Sequence, residues 1–299
     1  MVHFLYYIRR KLLKYYSEDS LDIYLAKIIE KYYKIIISRK RGVKNLSGKR
    51  NLIVSLTTIP DRIDSVWITI ESLLRQTYKP NKIVLWLAKD EFDGIKLPRQ
   101  LQQQVKRGLS IKYCDNLKSY KKFYYTVKEN PHAYVITVDY DLIYSEKMIE
   151  GLVRSYVQNP GCIICNRSHL VKKRNNKLLS YNNWEFYEKR IKIMREPSYQ
   201  NFFTSGGGTL FPFFLMDRRL LKEDIFMELA PTADDVWLNF IAWVSGLKTK
   251  NTDEGLGYLI HIPDSSPKGL FRQNVLRNQN DVQIKRVIDY LNIKVEDYL

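Results

Sequence analysis

AYVITVDYD, residues 133–141, is an apolar run that ends abruptly in two carboxylates. Val135, Ile136 and Val138 are β-branched, and the run is short and closed by polar residues, which predicts a buried strand. Asp139 and Asp141 are two apart, so on an extended chain both project to one side while Tyr140 turns away. Two carboxylates held close repel, and one is driven toward protonation unless a cation stands between them. A hard divalent ion, Mn²⁺ or Mg²⁺, resolves this, because it takes one or two carboxylates and completes its shell with water and phosphate oxygens. A turn in which the aspartates bond their own backbone is the alternative. The position directly after a buried run favours the metal.

Outward from this strand, the chain alternates. NLIVSLTTI, from Asn51, predicts a strand and PDRIDSVWITIESLLRQT a helix; KIVLWLA, Lys82 to Ala88, predicts the next strand. A polar helix (PRQLQQQVKRG), a short strand (LSIKY) and another helix (SYKKFYYTVKEN) lead to residue 133. A helix over 145–158 follows and stops at Asn159-Pro160. Such alternation implies a mostly parallel α/β sheet with right-handed crossovers, whose ligands bind beyond the carboxyl ends of the strands. Three strand ends become candidate walls: Thr57-Thr58-Ile59-Pro60-Asp61-Arg62, Ala88-Lys89-Asp90 and Asp139-Tyr140-Asp141.

The chain has 299 residues, 45% of them hydrophobic, a net charge of +17 and 22 tyrosines. One large domain over 46–299 with a basic helical hairpin over 1–45 is expected. Residues 1–50 hold 13 Lys/Arg against 4 Asp/Glu, so +9 of the charge comes from one sixth of the chain. Such a field attracts nucleic acid, anionic lipid or phosphorylated small molecules without choosing among them. In the hairpin, Leu5, Ile8, Leu12 and Tyr15 form one helical stripe, with Arg9, Lys11 and Lys14 away from it; Leu21, Tyr24/Leu25, Ile28, Tyr32 and Ile35/Ile36 form a second. The hairpin packs on the main domain, on a second subunit to form a homo-oligomer, or on an anionic membrane through residues 1–41. RKRGVKNLSGKRN, residues 39–51, reads as a basic linker. No secretory signal or membrane-spanning run is evident, and the three cysteines suit a reducing compartment, so a cytoplasmic protein is expected, peripheral on the cytoplasmic face of the inner membrane if the hairpin binds lipid. Cys162-Ile-Ile-Cys165 lacks a second pair and reads as buried strand.

Three further features carry chemistry. PTADDVWLNFIAW, residues 231–243, puts Asp234 and Asp235 at a helix start, where they favour the helix dipole with Thr232 as cap, or where one serves as a general base. FTSGGGTLFPFF, residues 203–214, offers Gly206, Gly207 and Gly208 as a flexible backbone approaching a ligand; it has neither a P-loop lysine nor dinucleotide spacing. His261, after the apolar start of LIHIPD, is a third candidate metal ligand, although a lone histidine there is more often a packed one.

Together VSLTTIPDRI, TIESLLRQTYKPNKIVLWL, SYKKF, VITVDYD, GGGTLFP and ADDVW, in that order over roughly residues 51–260, resemble the nucleotide-sugar glycosyltransferases of the GT-A fold, near family 2 and the bacterial capsule and cell-surface polysaccharide enzymes. The resemblance implies metal-dependent transfer from a nucleotide-diphosphate sugar, a UDP-sugar by preference, to a hydroxyl of a glycan or lipid-linked acceptor with inversion. It places Thr57, Thr58, Arg62, Asp90, Lys122, Asp139 and Tyr140 on the donor, with Lys122 near the phosphates. It puts the metal on Asp139 and Asp141, the acceptor loop at Gly207 and Gly208, and the base at Asp235 beside Asp234. Tyr140 departs from the pattern, since relatives often carry three consecutive aspartates, and AKDEF thins the usual acidic end of the second strand. A nucleotidyltransferase with a related acidic site is the rival, but TTIPDRI lacks the glycine-rich loop it needs. A basic, non-catalytic nucleic-acid or membrane binder is the other; acidic strand ends disfavour nucleic acid.

Overall fold

The computed structural model describes residues 1–44, 50–186, 192–252, 259–263 and 278–299. Positions 45–49 of the expected linker lie outside the described residues. The main sheet comprises β1 (Leu52–Thr57), β2 (Lys82–Ala88), β3 (Leu109–Cys114), β4 (Tyr134–Val138), β5 (Ile163–Cys165), β6 (Gly207–Phe211) and β7 (Thr249–Asn251). Their spatial order is β7-β5-β6-β4-β1-β2-β3. β1 pairs in parallel with β2 and β4, β2 with β3, and β5 with β7, while β6 runs antiparallel between β4 and β5.

The helices are α1 (Val2–Leu12), α2 (Glu18–Ile35), α3 (Val66–Leu74), α4 (Arg99–Val105), α5 (Lys121–Glu129), α6 (Met148–Gln158), α7 (Asp234–Val244) and α8 (Gln279–Leu291). From β1 the chain steps through β2 to the edge at β3, then returns to lay β4 on the other side of β1. The order reverses between β1 and β4, and crossovers leave a crevice at such a point, beyond the carboxyl ends of the strands.

Both faces of the sheet are covered, which is why its strands are continuous apolar runs. Leu52, Val54, Leu56, Ile83, Leu85 and Leu87 face one apolar cluster with α3, α6 and the amino-terminal hairpin. The alternate residues Ile53, Val84, Trp86 and Val135 face a second, aromatic-rich cluster with α5, α7 and α8. Cys165 is buried in β5, and burial pushes its thiol far up, as expected of a structural cysteine.

The hairpin keeps part of the predicted stripes and corrects the rest. Its buried residues are Val2, Tyr6 and Arg9 on α1, and Leu21, Asp22, Leu25, Ala26, Ile29 and Tyr33 on α2, with Leu5, Leu12 and Tyr32 packed in part against the core, whereas Tyr15, Tyr24, Ile28, Ile35 and Ile36 face out. Arg9, expected outside, is fully buried. Its guanidinium reaches Asp22 through Nε at 2.5 Å and Nη2 at 3.1 Å, and Glu18 through Nη2 at 2.6 Å, so the buried charge is neutralised where it sits. The hairpin is then riveted behind β4: the backbone amides of Val2 and His3 donate to Glu146 at 2.9 and 2.7 Å, and the Tyr6 hydroxyl donates to the Ile143 carbonyl. Asp22 also accepts from the His261 amide at 3.0 Å.

Candidate active site

Asp139 emerges from β4 at the switch point, held by its own backbone. Its amide donates to the Gly206 carbonyl at 3.1 Å, and the buried Tyr144 hydroxyl donates to that same carbonyl at 2.5 Å. The carboxylate of Asp139 occupies the space a side chain at Gly206 would need: a Cβ there would lie 1.6 Å from Asp139 Oδ2. Gly206, expected as backbone near a ligand, is instead a contact glycine whose reason is a carboxylate from a distant strand. Gly206→Ala is expected to displace Asp139 and, since a shift of this size costs about 100-fold in a positioned site, to lower turnover by about that factor with the far-UV spectrum unchanged. Wild-type turnover in that variant means the Asp139 position is immaterial.

Gly207 and Gly208 differ from expectation. They lie not in a loop but in the strand, as the buried first residues of β6, Gly207 opposite Val138. The register shifts between Gly207 and Thr209, and Gly208 takes φ +87°, so it is a bulge that only glycine adopts readily.

Lys122, at the start of α5, joins the acidic pairs. Its Nζ lies 3.1 Å from Asp139 Oδ1 and 3.0 Å from Asp234 Oδ2, and the side chain is 5% exposed. Burial opposes its charge, but Asp139, Asp234 and Asp235 outweigh that and hold it protonated. The resemblance puts this lysine at the phosphates; here it is committed to two carboxylates. Ser205, also missed by sequence reading, completes the link: its hydroxyl donates to Asp234 at 2.9 Å and its amide to Asp235 at 2.8 Å.

The two neighbouring acids are driven apart chemically. Burial raises Asp234, but Lys122 and Ser205 outweigh it and keep the carboxyl below the usual carboxylate range. Burial, then repulsion from Asp234, pushes Asp235 up to about 6. Two titratable groups separated in this way define a structural ion and a group poised to exchange protons near neutrality. Thr232 does not cap α7: its amide and hydroxyl meet Gln283, and Ala233 takes the cap position.

Asp141 is half-buried, and burial, then Asp139, pushes it up to about 6 against the pull of Arg62 and Arg167. Two carboxylates close enough to disturb one another fit a divalent cation. His261 does not join them. Its ring groups with Glu18 and Asp22 on α2, the one three-ligand cluster at metal spacing among the described residues, and there the Arg9 guanidinium already supplies the positive charge. The reason is the pairing of residues 260–261 with 142–143, which sets the His261 amide against Asp22.

Of the remaining donor candidates, Thr57 spends its hydroxyl on the Trp86 carbonyl at 2.9 Å, while Thr58 is fully buried beside it with no hydrogen-bond partner for Oγ1. Arg62 is buried in the turn after β1. Asp90 stands exposed beyond β2, bonded to Asn116 at 3.3 Å, and is not gathered with the acidic centre. Tyr140 packs against the apolar cluster and its carbonyl accepts from Thr69 at 2.6 Å. Arg167, just past β5 and bonded to Thr204 at 2.9 Å, is a cation near Asp141 that sequence reading missed; a basic residue after a strand was its only signal.

No protein-family profile matches this sequence, and no curated protein does. Among solved structures, the chain is similar to the mannosyltransferase PcManGT from Pyrobaculum calidifontis, determined with GDP-Man and Mn²⁺, with a TM-score of 0.50 at 12% identity over 97% of this chain and 76% of that one. It also matches S. aureus TarS 1-349, in complex with UDP and in a second structure, with TM-scores of 0.45 and 0.43 and identities of 14% and 15%. Each TarS match covers 68% of this chain and 58% of that chain. The likeness to PcManGT establishes the class of fold: an α/β, GT-A-like sheet flanked by helices, as expected from the sequence.

Proposed function

We propose that the chain is a metal-dependent glycosyltransferase that moves a sugar from a nucleotide-diphosphate donor to a hydroxyl of a glycan or lipid-linked acceptor. The observation that carries this is the ion chain Asp139–Lys122–Asp234 with Asp235 beside it, at the switch point of a sheet shared with a mannosyltransferase. Asp139 and Asp141 are the residues to hold Mn²⁺ or Mg²⁺, which when bound offsets the negative charge of the departing diphosphate. Asp235 takes the acceptor proton as the hydroxyl oxygen bonds to the anomeric carbon and the carbon–oxygen bond to the diphosphate breaks, which inverts the centre. Asp234, neutralised by Lys122, fixes Ser205 and through it the orientation of Asp235. A UDP-sugar donor, cell-surface polysaccharide as the product and a cytoplasmic site of action are the settings we assign.

A panel of nucleotide-diphosphate sugars tests the reading. With Mn²⁺, one donor at about a hundred times its Kd is expected to add ~2.7 kcal/mol of thermal stability, and the effect should vanish in chelator and in Asp141→Ala. If no donor stabilises the protein or is hydrolysed, the reading fails.

A further inference from the structure

The amino-terminal helices bury one face each in the body, yet a second apolar face of the hairpin has no partner. On α1, Phe4 is 62% exposed and Tyr7 51%. On α2, Tyr24, Ile28 and Ile35 lie at four- and seven-residue spacing along one outward stripe. The chain then leaves the helix through Ile36 and Ile37, the latter 75% exposed. Docking explains why each helix is amphipathic, but it leaves these residues unexplained, because a helix packed on one side needs only one apolar stripe.

Charge identifies what covers them. Lys27, Lys31 and Lys34 stand exposed among the apolar residues of α2, Lys11 sits 4.6 Å over the Tyr7 ring, and Arg39-Lys40-Arg41 follows the isoleucines directly. Because both helices bury their inner faces in the same cluster, their outer faces look away from the same side of the molecule. A second copy docked there would bring together two faces on which exposed cations outnumber acids, Glu30 being already paired with Lys34 at 2.7 Å. Nucleic acid would use the cations but leave three consecutive isoleucines in water. An anionic bilayer uses both, taking aromatic and aliphatic side chains into the headgroup boundary and pairing lysines with phosphates. Among the described residues, no helix is long and apolar enough to cross a membrane.

We infer that the outward face of α1 and α2, with Ile35–Ile37 as its inserting tip, is a peripheral binding surface for anionic lipid bilayers. The tip is tied to the body where the Arg75 guanidinium donates to the Ile36 carbonyl. The surface stands independently of the transferase reading, but the same hairpin is bonded to residues 143–146 and 261, so a bound bilayer fixes the height of the Asp139–Asp141 cleft above the lipid.

The test is flotation of the full-length chain with vesicles of phosphatidylcholine, alone or mixed with phosphatidylglycerol, without any sugar substrate. Binding to the anionic vesicles alone, weakened by salt, is expected. Lys27→Gln with Lys31→Gln should lower affinity about 25-fold, since each surface lysine is worth about 1 kcal/mol, or fivefold. Ile35→Ser with Ile37→Ser should abolish binding while the melting temperature stays at the wild-type value, because both side chains are already in water. No flotation, equal flotation with neutral vesicles, or serine variants that float like wild type overturn the inference. So does a concentration-dependent dimer that the serine variants dissociate, which would assign the face to a second copy.

Discussion

If Asp235 is the base proposed above, Asp235→Asn is expected to lower turnover by about 10²–10⁴-fold, the range a positioned general base contributes, and to leave donor binding in place. The two acids at the start of α7 are not equivalent. Asp234 is buried and carries the ion pair to Lys122, whereas Asp235 is half-buried and is anchored by the Ser205 amide. The Asn variant keeps size and the carbonyl that accepts from Ser205, so the fold and the donor side are preserved while the proton acceptor is lost. The pH profile gives a second readout. As the proposed base Asp235 would act ionised, and its carboxyl is pushed up to about 6 by burial and then Asp234. Wild-type kcat/KM should therefore be level above that pH and fall tenfold per unit below it. In the variant this limb should disappear. Wild-type turnover in the variant, or an unshifted limb, moves the base to another residue.

Lys122→Met removes the charge that Asp139 and Asp234 share and is expected to destabilise the fold by about 3–5 kcal/mol, the usual cost of breaking a buried ion pair on one side. Thermal unfolding measures it. The sign of its pH dependence is diagnostic. In the wild type Asp234 is held below its usual range, so its contribution is present above the unfolded pKa and lost as pH falls through the folded one. Without Lys122, burial alone raises Asp234, so the deficit appears as pH rises through the raised value and shrinks on acidification. Asp234→Asn added to Lys122→Met should restore part of the stability, because the unpaired charge is gone. A deficit independent of pH, with no recovery in the double variant, means that the methylene stem of Lys122 rather than its charge does the holding.

Much of this architecture is readable from local sequence. KIVLWLA is β2 residue for residue, since seven largely apolar residues between polar ends leave no other structure. The place of Asp139 at a strand end beside the switch point is legible in the same way, whereas its meeting with Asp234 at the start of α7 depends on Lys122, which bridges the two. Other features are not local. Nothing in GGG distinguishes a bulge at Gly208 from a contact at Gly206, because the distinction is made by the Asp139 carboxylate. Arg9 reads as a surface cation until Asp22 is packed beside it. His261 reads as a ligand for the strand-end acids until residues 260–261 pair with 142–143 and turn it toward α2.

The rivets of the hairpin join the first residues of the chain to some of the last. Met1 through His3 bond Glu146, and Asp22 bonds the amide of His261, 239 positions later. The hairpin precedes its docking partners along the chain, so it is made before residues 143–146 and 261 can receive it. Until then Val2, Tyr6, Leu25 and Ile29 cannot be buried as they are in the finished fold, and the two helices carry apolar residues on both faces. Until those partners arrive, the hairpin shows apolar residues on both faces, a more adhesive surface than the finished fold presents.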